Sequence, residues 1–285
     1  MDTQRHSNGH HNTSTSSSRI RKCVSRSLRI LCGVYIGLLL LAVTFETQLV
    51  YHGTPTDSAY RHPGCEEHFI RSVDGVLLHG ISIEFPPSDK WALFFHGNAG
   101  SLKHRVGFLK ELSFELSRNV IAVDYRGFGK SEGFPSEEVL ISDAEEFVHY
   151  AKKHLGLRTE ECYLVGRSLG GGVAMQLATK HNFEAMILIN TFTSLPDIAS
   201  ELYPFFPTHQ IMRNRFDSLQ LANQISIPVF QTHGTRDKII PYHNGRTLHN
   251  EFNTPKAFWV HQHASHNTAL PPDFFRALNK FIGGL

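Results

Sequence analysis

The sequence predicts an α/β fold: a mostly parallel central sheet with helices on both faces and a short lid, preceded by one N-terminal transmembrane helix. Three observations predict it. From residue 66 onward, apolar strand-like runs alternate with amphipathic helical runs, the pattern of parallel strands joined by helical crossovers. One of these strands, residues 161–165, passes through Gly166-Arg167-Ser168-Leu169-Gly170 directly into a helical run over 172–180. Upstream, residues 30–51 form an apolar stretch of about 20 residues, enough to cross the roughly 30 Å hydrocarbon core of a bilayer.

Residues 1–18 are polar and rich in Ser, Thr, Asn and His, with too little apolar surface to fold. With Arg19, Arg21, Lys22, Arg26 and Arg29, the segment 1–29 reads as a disordered basic tail. A buried soluble helix over 30–45 should keep one polar face, and this run has none. A cleaved signal peptide wants a short n-region and a small-x-small cleavage site; this tail is long and the best site, near Ala42, is poor. A membrane anchor over 30–51 is therefore expected. Its basic flank is N-terminal, while Glu46 and Asp57 lie beyond, so the positive-inside bias predicts a single-pass type II topology, the tail cytosolic and the remainder extracytoplasmic or lumenal. The one N-x-S/T sequon, Asn12-Thr13-Ser14, falls in the tail, which weighs slightly against a lumenal placement without overturning it. Cys23 and Cys32 flank or enter the anchor, a setting for reversible palmitoylation, whereas Cys162 sits in a core strand as a free buried thiol.

Residues 52–65 read as a linker and 66–285 as one domain. Strands flanking Asp74-Gly75 predict an opening antiparallel hairpin. Further strands are expected at 91–95, 120–123, 185–189, 227–233 and 256–260. A helix over 137–154 places Leu140, Ala144, Phe147, Val148, Ala151 and Leu155 on one core-facing side. The longer connection 191–226, with Leu195, Ile198, Leu202, Tyr203, Phe205 and Phe206, is the lid region; its apolar side chains suit an acyl substrate or a covered sheet edge.

The chemistry centres on Ser168. A serine hydroxyl becomes a nucleophile when a base takes its proton and an acid fixes that base. In the strand–turn–helix elbow the partners follow in the order Ser, acid, His. Asp237, in Gly234-Thr235-Arg236-Asp237, and His266, in His261-Gln262-His263-Ala264-Ser265-His266-Asn267, both lie in loops just after strands, with His263 as the alternative base. His233 closes its strand and packs. The oxyanion donors are the backbone N–H of Leu169 and that of Asn98 in His96-Gly97-Asn98-Ala99-Gly100. Asp124 and Arg126 are expected to order a surface turn.

Three segments carry a resemblance: Phe94-Phe95-His96-Gly97-Asn98-Ala99-Gly100, Asp124-Tyr125-Arg126-Gly127-Phe128-Gly129-Lys130-Ser131-Glu132-Gly133, and Gly166-Arg167-Ser168-Leu169-Gly170-Gly171. Over roughly residues 66 to 285 the chain resembles the α/β-hydrolase superfamily, in its membrane-anchored branch alongside α/β-hydrolase-domain-containing proteins 13, 17 and 12. Thr191-Phe192-Thr193-Ser194-Leu195-Pro196 is most similar to the protein 13 group. The resemblance implies an α/β-hydrolase fold and serine hydrolase chemistry on lipid esters or thioester-linked fatty acyl groups of proteins. Around the base this chain has Ala264-Ser265-His266-Asn267 where the family usually has Gly-Thr-His-Asn or Gly-His-Asn; the His-Asn pair is kept.

Other functions fit less well. A net charge of +2, partly concentrated in the tail, gives no nucleic-acid footprint. The loop after residue 95 lacks the Lys-Ser/Thr ending of a P-loop and the spacing of a dinucleotide fingerprint. His261, His263 and His266 have no carboxylate among them, and with 19 His in the chain such clusters arise by chance, so no metal and no cofactor are expected. A peptidase on the same fold would want lid acids, for which Asp197, Glu201 and Asp217 qualify; a non-catalytic binding module would be expected to have lost part of the elbow or the triad. The sequence leaves the oligomeric state open.

Overall fold

The computed structural model describes residues 14–285, with side chains from residue 21. It divides into two units, Met1–Glu46 and Thr47–Leu285. The disorder expected for residues 1–13 and the sequon at Asn12 lie outside the described residues.

The first unit contains one long helix, α1 (Ser14–Thr44, 31 residues). Residues 14–29, expected in the unstructured tail, are helical: the segment contains neither proline nor glycine to stop a helix. The stretch Arg21–Thr44, 24 residues, is long and apolar enough to cross a membrane, about 36 Å of helix at 1.5 Å per residue. Leu31, Val34, Ile36 and Leu40 are all exposed.

The second unit begins with the short helix α2 (Glu46–Val50), which straddles the boundary, and the two-residue strand β1 (His52–Gly53). Then come β2 (Glu66–Arg71), β3 (Leu77–Ile83), β4 (Trp91–Phe95), β5 (Ala99–Gly100) and α3 (Val106–Leu116). The middle of the unit is β6 (Asn119–Val123), α4 (Glu137–Leu155), β7 (Cys162–Arg167), α5 (Leu169–Ala178) and β8 (Ala185–Ile189). Three short helices follow, α6 (Leu195–Leu202), α7 (Thr208–Ile211) and α8 (Ser218–Leu221), in the region expected as the lid. The unit closes with β9 (Val229–Gly234), α9 (Tyr242–Glu251), β10 (Lys256–His261) and α10 (Pro272–Ile282).

Eight strands form one sheet in the order β10-β9-β8-β7-β4-β6-β3-β2. β2 and β3 form the antiparallel hairpin around Asp74-Gly75, β3 is antiparallel to β6, and every other pair is parallel. The central strands are buried along their whole length, β4 as Trp-Ala-Leu-Phe-Phe and β8 as Ala-Met-Ile-Leu-Ile, as strands covered by helices on both faces must be. One core layer joins Phe95 and Leu164 to Leu140, Phe147, Val173 and Met175 of α4 and α5. The other joins Phe94 and Val165 to Leu109, Leu112, Phe274 and Leu278 of α3 and α10.

The segment expected as a linker is hydrogen-bonded to the domain from its first residue, in a two-stranded sheet separate from the eight-stranded one. β1 pairs in parallel with β5, Thr54 N–H donates to Gly100 O at 3.1 Å, and Thr56 N–H donates to Gly129 O at 2.8 Å. A two-residue ladder has no period for a sequence to display, so this docking is invisible before folding.

Candidate active site

The parallel strands deliver their C-terminal ends to one edge, and the connections leaving that edge carry the candidate residues. Ser168 sits between the last residue of β7 and the first of α5, at φ +53°. A non-glycine residue there costs about 1–3 kcal/mol, so its surroundings must hold it. They do so on both sides of the peptide. Ser168 N–H donates to Ile189 O at 2.9 Å, while Ser168 O accepts from Gly171 N–H at 2.9 Å and Thr191 Oγ1 at 3.1 Å. The turn is tight enough that a Cβ on Gly170 would lie 2.0 Å from Phe95 O. Any side chain at that position would push the elbow off β4.

Asp237 follows β9 and is buried. Its Oδ1 accepts from the N–H groups of Ile239 and Ile240, both at 2.9 Å. Its Oδ2 accepts from His266 Nδ1 at 2.6 Å. His233, the strand-closing histidine, donates from Nε2 to Ile240 O at 2.8 Å and lies 3.4 Å from the same carboxylate. Burial alone would raise the Asp237 carboxyl, but the hydrogen bonds from His233 and His266, and the charge of His266, hold it well below the ordinary carboxylate range. Asp237 is therefore an anion positioned to fix the Nδ1–H tautomer of His266, leaving Nε2 to accept a proton.

His266 is gathered in by its own backbone. Its carbonyl accepts from Asn190 Nδ2 at 2.7 Å and from Arg167 Nη2 at 3.1 Å, and Asn190 Oδ1 accepts Gly234 N–H at 3.0 Å. Asn190 thus ties together the ends of β8 and β9 and the base loop. Nothing local in the sequence marks this residue; its own φ of +48° is the structural sign. His263, the alternative base, is exposed with its N–H on Thr235 Oγ1, and no contact joins it to Asp237 among the described residues. No hydrogen bond joins the Ser168 hydroxyl to His266 among the described residues. In unliganded enzymes that contact is often long and tightens with substrate.

The loop after β4 brings Gly97 against the nucleophile: a Cβ there would be 3.3 Å from Ser168 Cβ. Asn98 follows, its side chain bonded to Val50 O and accepting His52 N–H at 3.2 Å. The Leu169 N–H lies in the first turn of α5, where amides point outward and the helix dipole is positive. Two backbone donors of this kind are what an oxyanion hole needs.

Asp124 and Arg126 do not order a surface turn as expected; both are buried. Asp124 accepts Leu102 N–H at 2.8 Å and lies 3.4 Å from His79 Nδ1 and 3.6 Å from His96 Nε2. Arg126 pairs with Asp143 and Asp74, both at 2.6 Å. Tyr125 Oη donates to His96 O at 2.8 Å, so this segment fixes the start of the oxyanion loop from beneath. The lid acids are likewise engaged: Asp197 with Thr193 and His209, Glu201 with His243 and Asn244, Asp217 with Arg215.

One group of metal-ligand type, distant from Ser168 in sequence, is formed by His62, Glu67 and His79, whose ligand atoms lie within 4.8 Å of one another. Lys130 Nζ already binds both Glu67 oxygens at 2.9 and 3.0 Å. Burial would raise the Glu67 carboxyl, yet the hydrogen bonds from His62 and Lys130 bring it down to about 2. A resident ammonium in that position opposes a second cation, and the group reads as a buried ion cluster.

These features agree with the comparisons. The family described as alpha/beta hydrolase fold matches residues 91–219. The chain is 31% identical over 235 residues to alpha/beta hydrolase domain-containing protein WAV2 of Arabidopsis thaliana, covering 73% of this chain and 76% of that one. Protein bem46 of Schizosaccharomyces pombe is also 31% identical over 235 residues, with 73% and 78% covered. Among solved structures, the Pyrococcus furiosus esterase Pf2001 superposes with a TM-score of 0.66 at 20% identity, over 81% of this chain and 98% of that one, a likeness of fold. The chain belongs to the α/β-hydrolase family, in the branch of α/β-hydrolase domain-containing proteins.

Proposed function

We propose that this protein is a membrane-anchored serine hydrolase that cleaves carboxylic esters or thioesters of fatty acyl groups, as a lipid esterase or protein depalmitoylase. Ser168 attacks the acyl carbon. His266 takes its proton and returns it to the leaving group, while Asp237 orients the imidazole. The N–H groups of Leu169 and Asn98 hold the oxyanion, and water then attacks the acyl-enzyme to release the acid and regenerate Ser168. The observation that carries this reading is the 2.6 Å hydrogen bond between His266 Nδ1 and Asp237 Oδ2, in loops leaving the same sheet edge as the elbow at Ser168. The fatty acyl class is supported by exposed Leu202 and Tyr203 at the end of α6, and by the apolar helix that would hold the chain at a membrane. With Arg21, Lys22, Arg26 and Arg29 gathered at the N-terminal end of that helix, the catalytic unit lies on the extracytoplasmic or lumenal side.

The test uses the full-length chain in detergent micelles, assayed on p-nitrophenyl esters of increasing acyl length and on a palmitoyl thioester. Hydrolysis that favours longer chains and disappears in Ser168→Ala is the expected result. Hydrolysis that survives Ser168→Ala would falsify the assignment. Protease protection in sealed microsomes reads the topology: a catalytic unit digested from the cytosolic side would reverse the orientation.

A further inference from the structure

Among the described residues, the enclosed cations Arg118, Arg126 and Lys130 are paired with carboxylates, whereas beside the elbow buried Arg167 and half-buried Arg105 are not. Arg118 pairs with Glu184 at 2.8 Å, Arg126 with Asp143 and Asp74, and Lys130 with Glu67 at 2.9 Å. Arg167 is only 9% exposed, and neither it nor Arg105 has an ion pair among the described residues. Arg167 Nη2 donates to His266 O at 3.1 Å and Arg105 Nη2 to Ala99 O at 2.5 Å, neutral carbonyls in both cases. Arg105 Nε is buried with no partner among the described residues. Asp237 attracts Arg167 and Asp124 attracts Arg105 only through space, without an ion pair. Charges taken out of water without a paired counter-charge are costly, and a fold retains them where something else compensates.

Arg105 and Arg167 both line one cavity of about 430 Å³. Its walls include Ala99 and Gly100 of the oxyanion loop, His104, and Asn267 of the base loop, with no acidic residue among them. Burial first, then the positive charge of Arg105, pushes the Arg167 guanidinium down to about 10, so the two cations act on one another across this space. Arg167 is also held against the Phe108 ring, 5.8 Å from its centroid, which limits its freedom to swing out to solvent.

The position is specific. Arg167 immediately precedes Ser168, Asn267 immediately follows His266, and Ala99 is two residues from Gly97, which packs on Ser168. A group bound here sits beside the nucleophile, oxyanion and base loops together. We propose that this cavity is an anion subsite: it takes a carboxylate or phosphate carried by the ester or thioester substrate, held between Arg105 and Arg167. The assignment of that anion to a substrate rests on the serine hydrolase reading; the binding of the anion does not. Planar guanidinium forks match the oxygens of either group. The preferred substrate is then an acidic acyl compound, such as one with a phosphorylated head group or a free carboxylate near the scissile bond, cleaved faster than a neutral ester of the same acyl chain.

The experiment measures the Tm of the full-length chain in detergent micelles with inorganic phosphate, with glutarate, and with neutral glutaramide, at constant ionic strength set by chloride. At ten times its Kd an anion that binds the native state should raise Tm by about 3–6 °C. Glutaramide should give no rise, Arg105→Gln and Arg167→Gln should each abolish the effect, and Arg105→Lys should keep part of it. The larger response of phosphate or glutarate names the anion. If Arg167→Gln does not fold, the Arg105→Gln and Arg105→Lys pair gives the same readout from the opposite wall. No response of the wild type above chloride, or a response that persists in both Gln variants, overturns the subsite. Fluorophosphonate labelling of the same samples separates the two readings. Labelled Ser168 without an anion response removes the subsite alone, and an anion response without labelling keeps the anion site and removes the hydrolase.

Discussion

Two aspartates at the C-terminal ends of strands are built from nearly the same parts and serve different ends. Asp124 after β6 and Asp237 after β9 are both buried, each faces two imidazoles, and each accepts from backbone N–H donors, Asp124 from Leu102 upstream and Asp237 from Ile239 and Ile240 downstream. Both carboxyls lie below their ordinary range. In each case burial acts to raise them and hydrogen bonds from the flanking histidines outweigh it. The difference lies in where the second imidazole leads. His79 and His96 are wholly enclosed, so the Asp124 group is a closed knot beneath the oxyanion loop. His266 is drawn by Asn190 and Arg167 to the end of β7, and its side chain retains 9% exposure at the elbow. In the proposed mechanism, then, a buried carboxylate–imidazole pair can take part in catalysis only when one imidazole remains open to a reacting group.

Substitutions at the two sites should separate along that line. The largest effect is expected for His266→Ala, a loss of kcat of about 10⁴-fold or more at nearly unchanged Tm, and Asp237→Asn should lose about 10⁴-fold through the wrong tautomer. Stopped assays on a p-nitrophenyl ester measure both. A loss below tenfold in either would break the comparison. Asp124→Asn should reverse the pattern: stability falls by about 1–3 kcal/mol, the cost of an unsatisfied buried group, and Tm falls with it, while kcat per folded molecule changes less than tenfold. Thermal unfolding beside active-site titration reads the two quantities separately.

Acid sensitivity sharpens the comparison, because it should begin with neither aspartate. A carboxylate with a lowered folded pKa stabilises above its unfolded pKa, about 3.9, and loses that contribution as pH falls through the folded value. Histidines lowered by burial act earlier: the unfolded chain binds the proton first, so stability falls once pH drops below about 6.5. Burial, then the charges of Lys256 and Arg246, brings His249 to about 4. Between pH 7 and 5 it should cost on the order of 2 kcal/mol. His249→Asn should therefore flatten the Tm–pH curve in that window, and an unchanged slope would assign the acid response elsewhere. The smallest effect is expected at His263→Ala, under about twofold in kcat, since an exposed loop residue away from the acid has no proton to carry.

That Ser168 stands at a strand–helix turn, and Asp237 and His266 in loops after later strands, could be read from the chain because those signals are local: an apolar strand, a glycine-bracketed turn, a helix, and two later strand ends in a fixed order. The hairpin at Asp74-Gly75 and the run of β4 were legible for the same reason. Asp124 was not, since an aspartate after a strand and before Gly127 looks like a turn former. Its burial comes from His79, 45 residues earlier, and from Leu102, 22 residues earlier. The pairing of residues 52–53 with 99–100, the role of Asn190, and the meeting of Arg105 with Arg167 likewise exist only once the sheet is assembled.

The central claim is that Ser168 is an activated nucleophile, and one measurement meets it directly. Full-length protein in detergent is treated with a fluorophosphonate, and the adduct is mapped by peptide mass spectrometry in the wild type, Ser168→Ala and His266→Ala. A single adduct on Ser168 is expected, absent in Ser168→Ala and formed far more slowly in His266→Ala. A folded wild type that takes no label, or one labelled at a residue other than Ser168, would contradict it.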